Sequence, residues 1–172
     1  MDKASTEIFL GLGANLPHPR FGTPKETLQA AINTLREWGI EPIRLSPWYQ
    51  SAPLPASDQP WYVNAVAEVA TDLSADALLA KFHGVEDLFG RVRGEPNAAR
   101  LIDLDLLDFR GGVARGGPGK ATLPHPRLSG RAFVLRPLAD LAPHWRHPLT
   151  GLPIGQLLED LPAAQIAERL AF

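Results

Sequence analysis

The stretch Trp61-Tyr62-Val63-Asn64-Ala65-Val66-Ala67-Glu68-Val69-Ala70 alternates in character along its length. In an extended chain successive side chains point to opposite faces, so Tyr62, Asn64, Val66 and Glu68 share one face and Val63, Ala65, Ala67 and Val69 the other. The segment reads as a strand from which Tyr62 and Asn64 project together. A Pro-rich loop, Ala52 to Pro60, precedes it. Before that loop, Glu41 to Gln50 has the β-branched and aromatic content of a second strand, which Pro42 and Pro47 restrict to an edge or bent position. The two strands can pair as a hairpin.

Helical signals flank this hairpin. Thr23-Pro24-Lys25-Glu26 has the form of a capping box, with proline where its missing N–H costs nothing. Leu28, Ile32 and Leu35 follow at helical spacing, which predicts a helix from about Pro24 to Trp38 closed by Gly39. On the far side Ser74 caps a helix whose apolar positions are Leu78, Phe82, Val85 and Phe89, stopped by Gly90. Outermost are two more strands, Ile8 to Leu12 and Ile102 to Phe109. Gly94 to Ala99 reads as a polar, flexible loop, and Gly111 to Gly119 as a mobile connection. A helix is expected over Ala132 to Leu141 and a weaker pair of helical turns after it, with Ala163 to Phe172 as a last helix or an interface. The order β-α-β-β-α-β predicts an α+β, ferredoxin-like fold, an antiparallel sheet with helices packed against it. Neither a repeat nor a composition shift marks a boundary, so residues 1–172 are expected to form a single domain.

Composition excludes several chemistries. With no cysteine among 172 residues there is no disulfide, thiolate zinc site, iron–sulfur cluster or cysteine nucleophile. The N-terminus lacks a basic segment followed by a long apolar run, and nowhere do about 18 apolar residues run together. A soluble, cytoplasmic protein with no membrane partner is expected. The net charge of -2 argues against nucleic-acid binding. That total conceals a segment, Glu86 to Arg136, with nine Lys+Arg and six Asp+Glu. Basic residues with embedded carboxylates suit a polyanion that arrives with a divalent cation, although on charge alone a solvated surface explains them equally well.

Arg100-Leu101-Ile102-Asp103-Leu104-Asp105-Leu106-Leu107 concentrates the chemistry. On a strand Asp103 and Asp105 point together while Ile102, Leu104 and Leu106 pack into the core. Two carboxylates about 6 Å apart repel by about 3 kcal/mol at an effective dielectric near 20, a cost that a bound cation relieves. Magnesium is the natural candidate, since it takes one or two carboxylates and fills its octahedron with water and phosphate oxygens. Asp-x-Asp alone is equally a solvated strand edge. The nearby Arg91, Arg93, Arg100 and Arg131 shift the balance, because guanidinium forks match phosphate geometry. The Walker A spacing is absent, and Ala121 stands where a hydroxyl residue would follow Lys120. His125, between two prolines, reads either as a structural histidine or, lying close to an arginine in sequence, as a donor to a phosphate oxygen.

Taken together, Leu10 to Leu16, Tyr49 to Leu54, Asp58 to Ala65, Gly90-Arg91-Val92-Arg93, Arg100 to Leu106, Leu123 to Arg127 and Arg131 to Leu135 resemble the 6-hydroxymethyl-7,8-dihydropterin pyrophosphokinase family of folate biosynthesis, with a recognisable core over about 8–161. The resemblance implies transfer of pyrophosphate from ATP to the hydroxymethylpterin with release of AMP. It implies two magnesium ions on Asp103 and Asp105, and Arg91 and Arg100 as catalytic arginines closing over the phosphates. Arg93, Leu106, Thr122, His125 and Arg131 would meet the nucleotide. Ser51, Ala52, Leu54, Tyr62, Asn64 and Phe133 would meet the pterin. ATP and a reduced hydroxymethylpterin are then the expected partners, and a monomer is expected.

Three departures from the family pattern are visible. The usual Arg-Trp-Gly-Pro-Arg loop reads Pro96-Asn97-Ala98-Ala99-Arg100, without the tryptophan that covers the pterin in many relatives. His83 stands where glutamine often serves the nucleotide, and Pro126 replaces an aromatic hydroxyl after the histidine. The rival expectation is a ferredoxin-like binding module without turnover, which has little use for two strand acids beside a basic loop.

Overall fold

The computed structural model describes residues 5–92, 94 and 96–171. Strand β1 (Ile8–Ala14) is central, with β4 (Tyr62–Ala70) on one side and β5 (Asp103–Phe109) on the other, both antiparallel to it. The second strand of the predicted hairpin is broken into β2 (Glu41–Leu45) and β3 (Tyr49–Ser51), which pair successively along β4. The break falls at Ser46-Pro47-Trp48, where a proline has no N–H for the ladder. Helix α1 (Pro24–Glu37) begins with the capping box read from the sequence, and α2 (Ala75–Leu88) with Ser74 as its cap. The resulting sheet is wholly antiparallel, as the β-α-β-β-α-β order predicts.

Alternation along the strands divides two apolar layers. Ile8, Leu10 and Leu12 of β1, Ala65, Ala67 and Val69 of β4, and Leu104 and Leu106 of β5 pack with Leu28 and Leu35 of α1 and Leu78, Phe82 and Val85 of α2. The opposite face carries Phe9, Val66 and Leu107 against Val134, Leu135 and Leu138 of α3 (Ala132–Leu141) and Ile154 and Leu157 of α4 (Ile154–Glu159). The sheet is thus covered on both faces, but α3 leaves one end of its face open. The glycine-rich connection folds back on itself, with Ala114 and Leu123 exchanging backbone hydrogen bonds at 3.0 and 2.9 Å.

The C-terminus departs from the expectation of paired helical turns and, of the two alternatives for Ala163 to Phe172, from that of a last helix. Among the described residues only α4 is helical there, and Ala167–Arg169 form β6, which pairs antiparallel with β3. Ala163, Ile166, Ala167, Leu170 and Ala171 recur at helical spacing, but β3 offers a row of backbone groups that a strand satisfies and a short isolated helix cannot.

Candidate active site

The open end of the α3 face is a cavity of about 230 Å³. Its floor is made by what β1 lacks. Gly11 and Gly13 lie opposite Asp105 and Asp103 on β5, and opposite Val66 and Asn64 on β4. Side chains at these two positions would fill the space over the sheet; glycine keeps it clear. Asn64, almost wholly buried, donates from Nδ2 to Ser51 Oγ at 2.7 Å, joining β4 to β3. Phe133, at the start of α3, closes the opposite wall, and the Arg131 guanidinium lies 5.4 Å from the centre of its ring.

The acids and arginines meet at the β5 end. Arg91 bonds Asp103 Oδ1 at 3.1 Å and also pairs with Glu86, a carboxylate fully buried at the end of α2. Glu86 Oε2 further accepts the Leu104 backbone N–H at 3.0 Å, so one buried acid orients an arginine and fastens the acidic strand. Burial raises the Glu86 carboxyl despite these donors. Burial and the adjacent Asp103 carboxylate push the Asp105 carboxyl up to about 7. A cation between the two carboxylates would relieve their mutual repulsion, and two hard oxygen donors suit magnesium, which supplements them with water and phosphate oxygens. Among the described residues no cluster of three or more His, Cys, Asp or Glu offers a fuller metal cage.

His125 is fixed by its backbone N–H, which donates to Leu107 O at 2.9 Å. Its Nδ1 accepts the Arg127 N–H at 3.2 Å, which leaves Nε2 as the protonated nitrogen, 3.8 Å from Asp105 Oδ1. Burial first, then Arg131 and Arg127, pull the imidazole down to about 4, so it is neutral near pH 7.

The loop that lacks tryptophan is held at three points. Gln59 Nε2 donates to Asn97 O at 2.7 Å, the Tyr62 hydroxyl to Ala98 O at 3.3 Å, and the Arg100 N–H to Asn15 Oδ1 at 2.7 Å. Asn15 is buried at the end of β1 and its Nδ2 also donates to Gln59 Oε1 and Pro60 O, each at 3.1 Å. Asn97 adopts a left-handed conformation, φ 63°, which asparagine tolerates better than most residues.

Most residues singled out from the sequence therefore come together. Ser51, Ala52, Leu54, Tyr62, Asn64 and Phe133 line the same cavity as Arg91, Arg100, Asp103, Asp105, His125 and Arg131. Leu106 and Thr122 line an adjoining recess, which also takes in His83, Lys120 and Pro126. The Leu106 side chain belongs to the core beneath α1 and α2, as its place in the strand alternation requires. Arg93 lies outside the described residues. The sequence reading passed over Arg127, Gln59, Asn15 and Glu86. Arg127 follows the conspicuous His125 by two positions and was within reach, whereas Glu86 is indistinguishable in sequence from a solvated helix acid.

Comparison with known proteins agrees with this geometry. A family profile described as 7,8-dihydro-6-hydroxymethylpterin-pyrophosphokinase matches residues 9–143. A 2-amino-4-hydroxy-6-hydroxymethyldihydropteridine pyrophosphokinase of Pseudomonas aeruginosa is 39% identical over 158 residues, covering 91% of this chain and 90% of the relative. The enzyme of the same name from Synechocystis is 37% identical, with 91% and 77% covered. The folic acid synthesis protein fol1 of Pneumocystis carinii is 33% identical over 96% of this chain, which spans only 21% of that longer protein. Among solved structures, the Plasmodium falciparum HPPK-DHPS chain superposes with a TM-score of 0.66 at 14% identity, covering 92% of this chain and 43% of that one, a likeness of fold. On the extent of these matches, the chain belongs to the 7,8-dihydro-6-hydroxymethylpterin-pyrophosphokinase family.

Proposed function

We propose that this chain, working as one domain, transfers the β,γ-pyrophosphoryl group of ATP to the hydroxymethyl oxygen of 6-hydroxymethyl-7,8-dihydropterin in folate biosynthesis. The observation that carries this reading is that one cavity holds an acid pair, four arginines, Arg91, Arg100, Arg127 and Arg131, and the Ser51–Asn64–Phe133 slot, with Arg131 lying over the Phe133 ring.

The hydroxymethyl oxygen forms a bond to the β-phosphorus while the bond from that phosphorus to the bridging oxygen of the α-phosphate breaks. AMP leaves with the bridging oxygen, and the hydroxyl proton is released. Asp103 and Asp105 would hold two magnesium ions, which when bound neutralise and orient phosphate oxygens. The arginines face the polyphosphate as fixed forks, a form of catalysis that consists of positioning and electrostatic stabilisation. His125 offers a neutral Nε2–H, a donor that needs no proton uptake at neutral pH. In the slot, Asn64 keeps its carbonyl oxygen for a pterin N–H because its amide nitrogen is committed to Ser51. Phe133 offers a flat apolar face to the pterin ring. Tyr62, tied to Ala98, couples the slot to the loop that carries Arg100.

Incubation with MgATP and the hydroxymethyl-dihydropterin, followed by nucleotide analysis, tests the reading. AMP and the pterin diphosphate are expected in equal amounts. ADP in place of AMP, or no turnover, overturns it.

A further inference from the structure

Residues 144–172 lie beyond the stretch matched by the family profile, yet the end of this tail touches both walls of the slot. β6 covers the outer edge of β3, with Ala167 opposite Ser51, and the Ala52 N–H donates to Ile166 O at 3.3 Å. Arg169 anchors the strand by pairing with Asp140 of α3 at 2.6 Å, and the Tyr49 hydroxyl donates to the same carboxylate.

Immediately before β6, Gln165 reaches the other wall. Its Nε2 donates to Gly130 O and its Oε1 accepts the Ala132 N–H, both at 2.8 Å. These backbone groups flank Arg131, at the N-terminal end of α3. The first N–H groups of a helix have no intrahelical acceptor, and Arg131 supplies no side-chain cap. Gln165 provides that acceptor from 33 residues away. Because the Arg131 guanidinium lies over the Phe133 ring, fixing the backbone on both sides of Arg131 fixes the guanidinium and the ring together.

We propose that Gln165 is a positioning residue for substrate, holding Arg131 and Phe133 in register with Ser51 and Asn64 through the tail strand. The inference rests on the pterin reading of the slot. A merely structural tail would affect stability without distinguishing the two substrates; a positioning role acts on the pterin first.

Gln165→Leu removes both hydrogen bonds at similar bulk, and Gln165→Ala repeats the loss without the bulk. Pterin dissociation constants from titration calorimetry, and KM for each substrate, are the readouts. Both variants are expected to raise the pterin Kd and KM about tenfold, the scale of one lost hydrogen bond, and the KM for ATP by a smaller factor, since of the four arginines only Arg131 is displaced. Gln156→Ala on α4, which loses a 3.0 Å side-chain bond to Asp160 just after the helix, should leave pterin binding unchanged. Unaltered pterin Kd in both Gln165 variants, or equal losses for both substrates, overturns the proposal. A wild-type chain that fails to bind the pterin overturns the functional reading and this proposal with it.

Discussion

Gly13 of β1 lies so close to Asn64 of β4 that a Cβ added to the glycine would stand 3.2 Å from Asn64 Oδ1. That oxygen is the acceptor left facing the slot once Asn64 Nδ2 is bonded to Ser51. Gly13→Ala should therefore displace the amide and lower pterin affinity about tenfold, the scale of one hydrogen bond, with little loss of stability. Gly11→Ala is the comparison. There the nearest atoms to the added methyl belong to the Leu107 side chain, at 3.3 Å, and a leucine end yields more easily than a fixed amide. A Gly11→Ala effect on pterin affinity as large as that of Gly13→Ala would refute the argument.

The Asp103–Asp105 pair makes a prediction about protons. Asp105 is held up at about 7 by burial and by the neighbouring carboxylate, so near pH 7 the metal-free protein carries a fractional proton there. Cation binding requires the deprotonated form. Magnesium added at pH 7 should release about half a proton per chain, and fewer as the pH rises above 7. Calorimetry in buffers of different ionisation enthalpy measures the number. Asp103→Asn removes the repelling charge and should bring the Asp105 carboxyl down, which carboxyl NMR detects. An Asp105 titration that stayed in place would show that Asp103 has no part in raising it.

How much of this was legible in the sequence depends on the kind of interaction. Tyr62 with Asn64 and Asp103 with Asp105 could be placed on shared faces because a strand has a period of two, and their neighbours Ala65 and Leu104 went to the other side for the same reason. Thr23 and Glu26 announced the start of a helix because a capping box is local. Pro47 marked the break between β2 and β3. Contacts that depend on distant segments left no such trace. Gln165 and Ala132 are far apart in the chain, and Glu86 shares its residue type with many solvated helix acids. The tail was misread because a strand that completes another strand's edge needs only backbone groups, which every sequence has.

Asn15 ties the end of β1 to two other segments through one side chain: the Arg100 backbone and the adjacent pair Gln59-Pro60. Asn15→Ala leaves these partners unsatisfied in a partly buried setting, at a cost of about 1–3 kcal/mol of stability by thermal or denaturant unfolding. Because Arg100 is held through its backbone, the variant should also lose turnover more than the stability loss explains. Rescue by Asn15→Asp is expected to be partial: a carboxylate still accepts from Arg100 but has no N–H for Gln59 or Pro60. An Asn15→Ala protein of full activity would separate the loop from catalysis.

Asp108 sits on β5 beyond Asp103 and Asp105, buried on the α3 face, where it accepts from Trp145 Nε1 at 2.8 Å and from the Gly111 N–H at 2.9 Å. Burial raises its carboxyl more than these two donors and His147 lower it. A carboxyl whose folded-state pKa exceeds its unfolded value binds protons more readily when folded. Its contribution to stability is therefore fully present below the unfolded value and is lost as pH rises through the folded one. Asp108→Asn has no titration at this position, so the stability difference between wild type and variant isolates the effect. Moving from acid toward neutral pH, wild type should lose ground to Asp108→Asn across that window and hold a constant difference above it. Urea unfolding at a series of pH values gives the curve. Wild type gaining on the variant as pH rises would mean that the two hydrogen bonds outweigh burial and that the carboxyl is depressed.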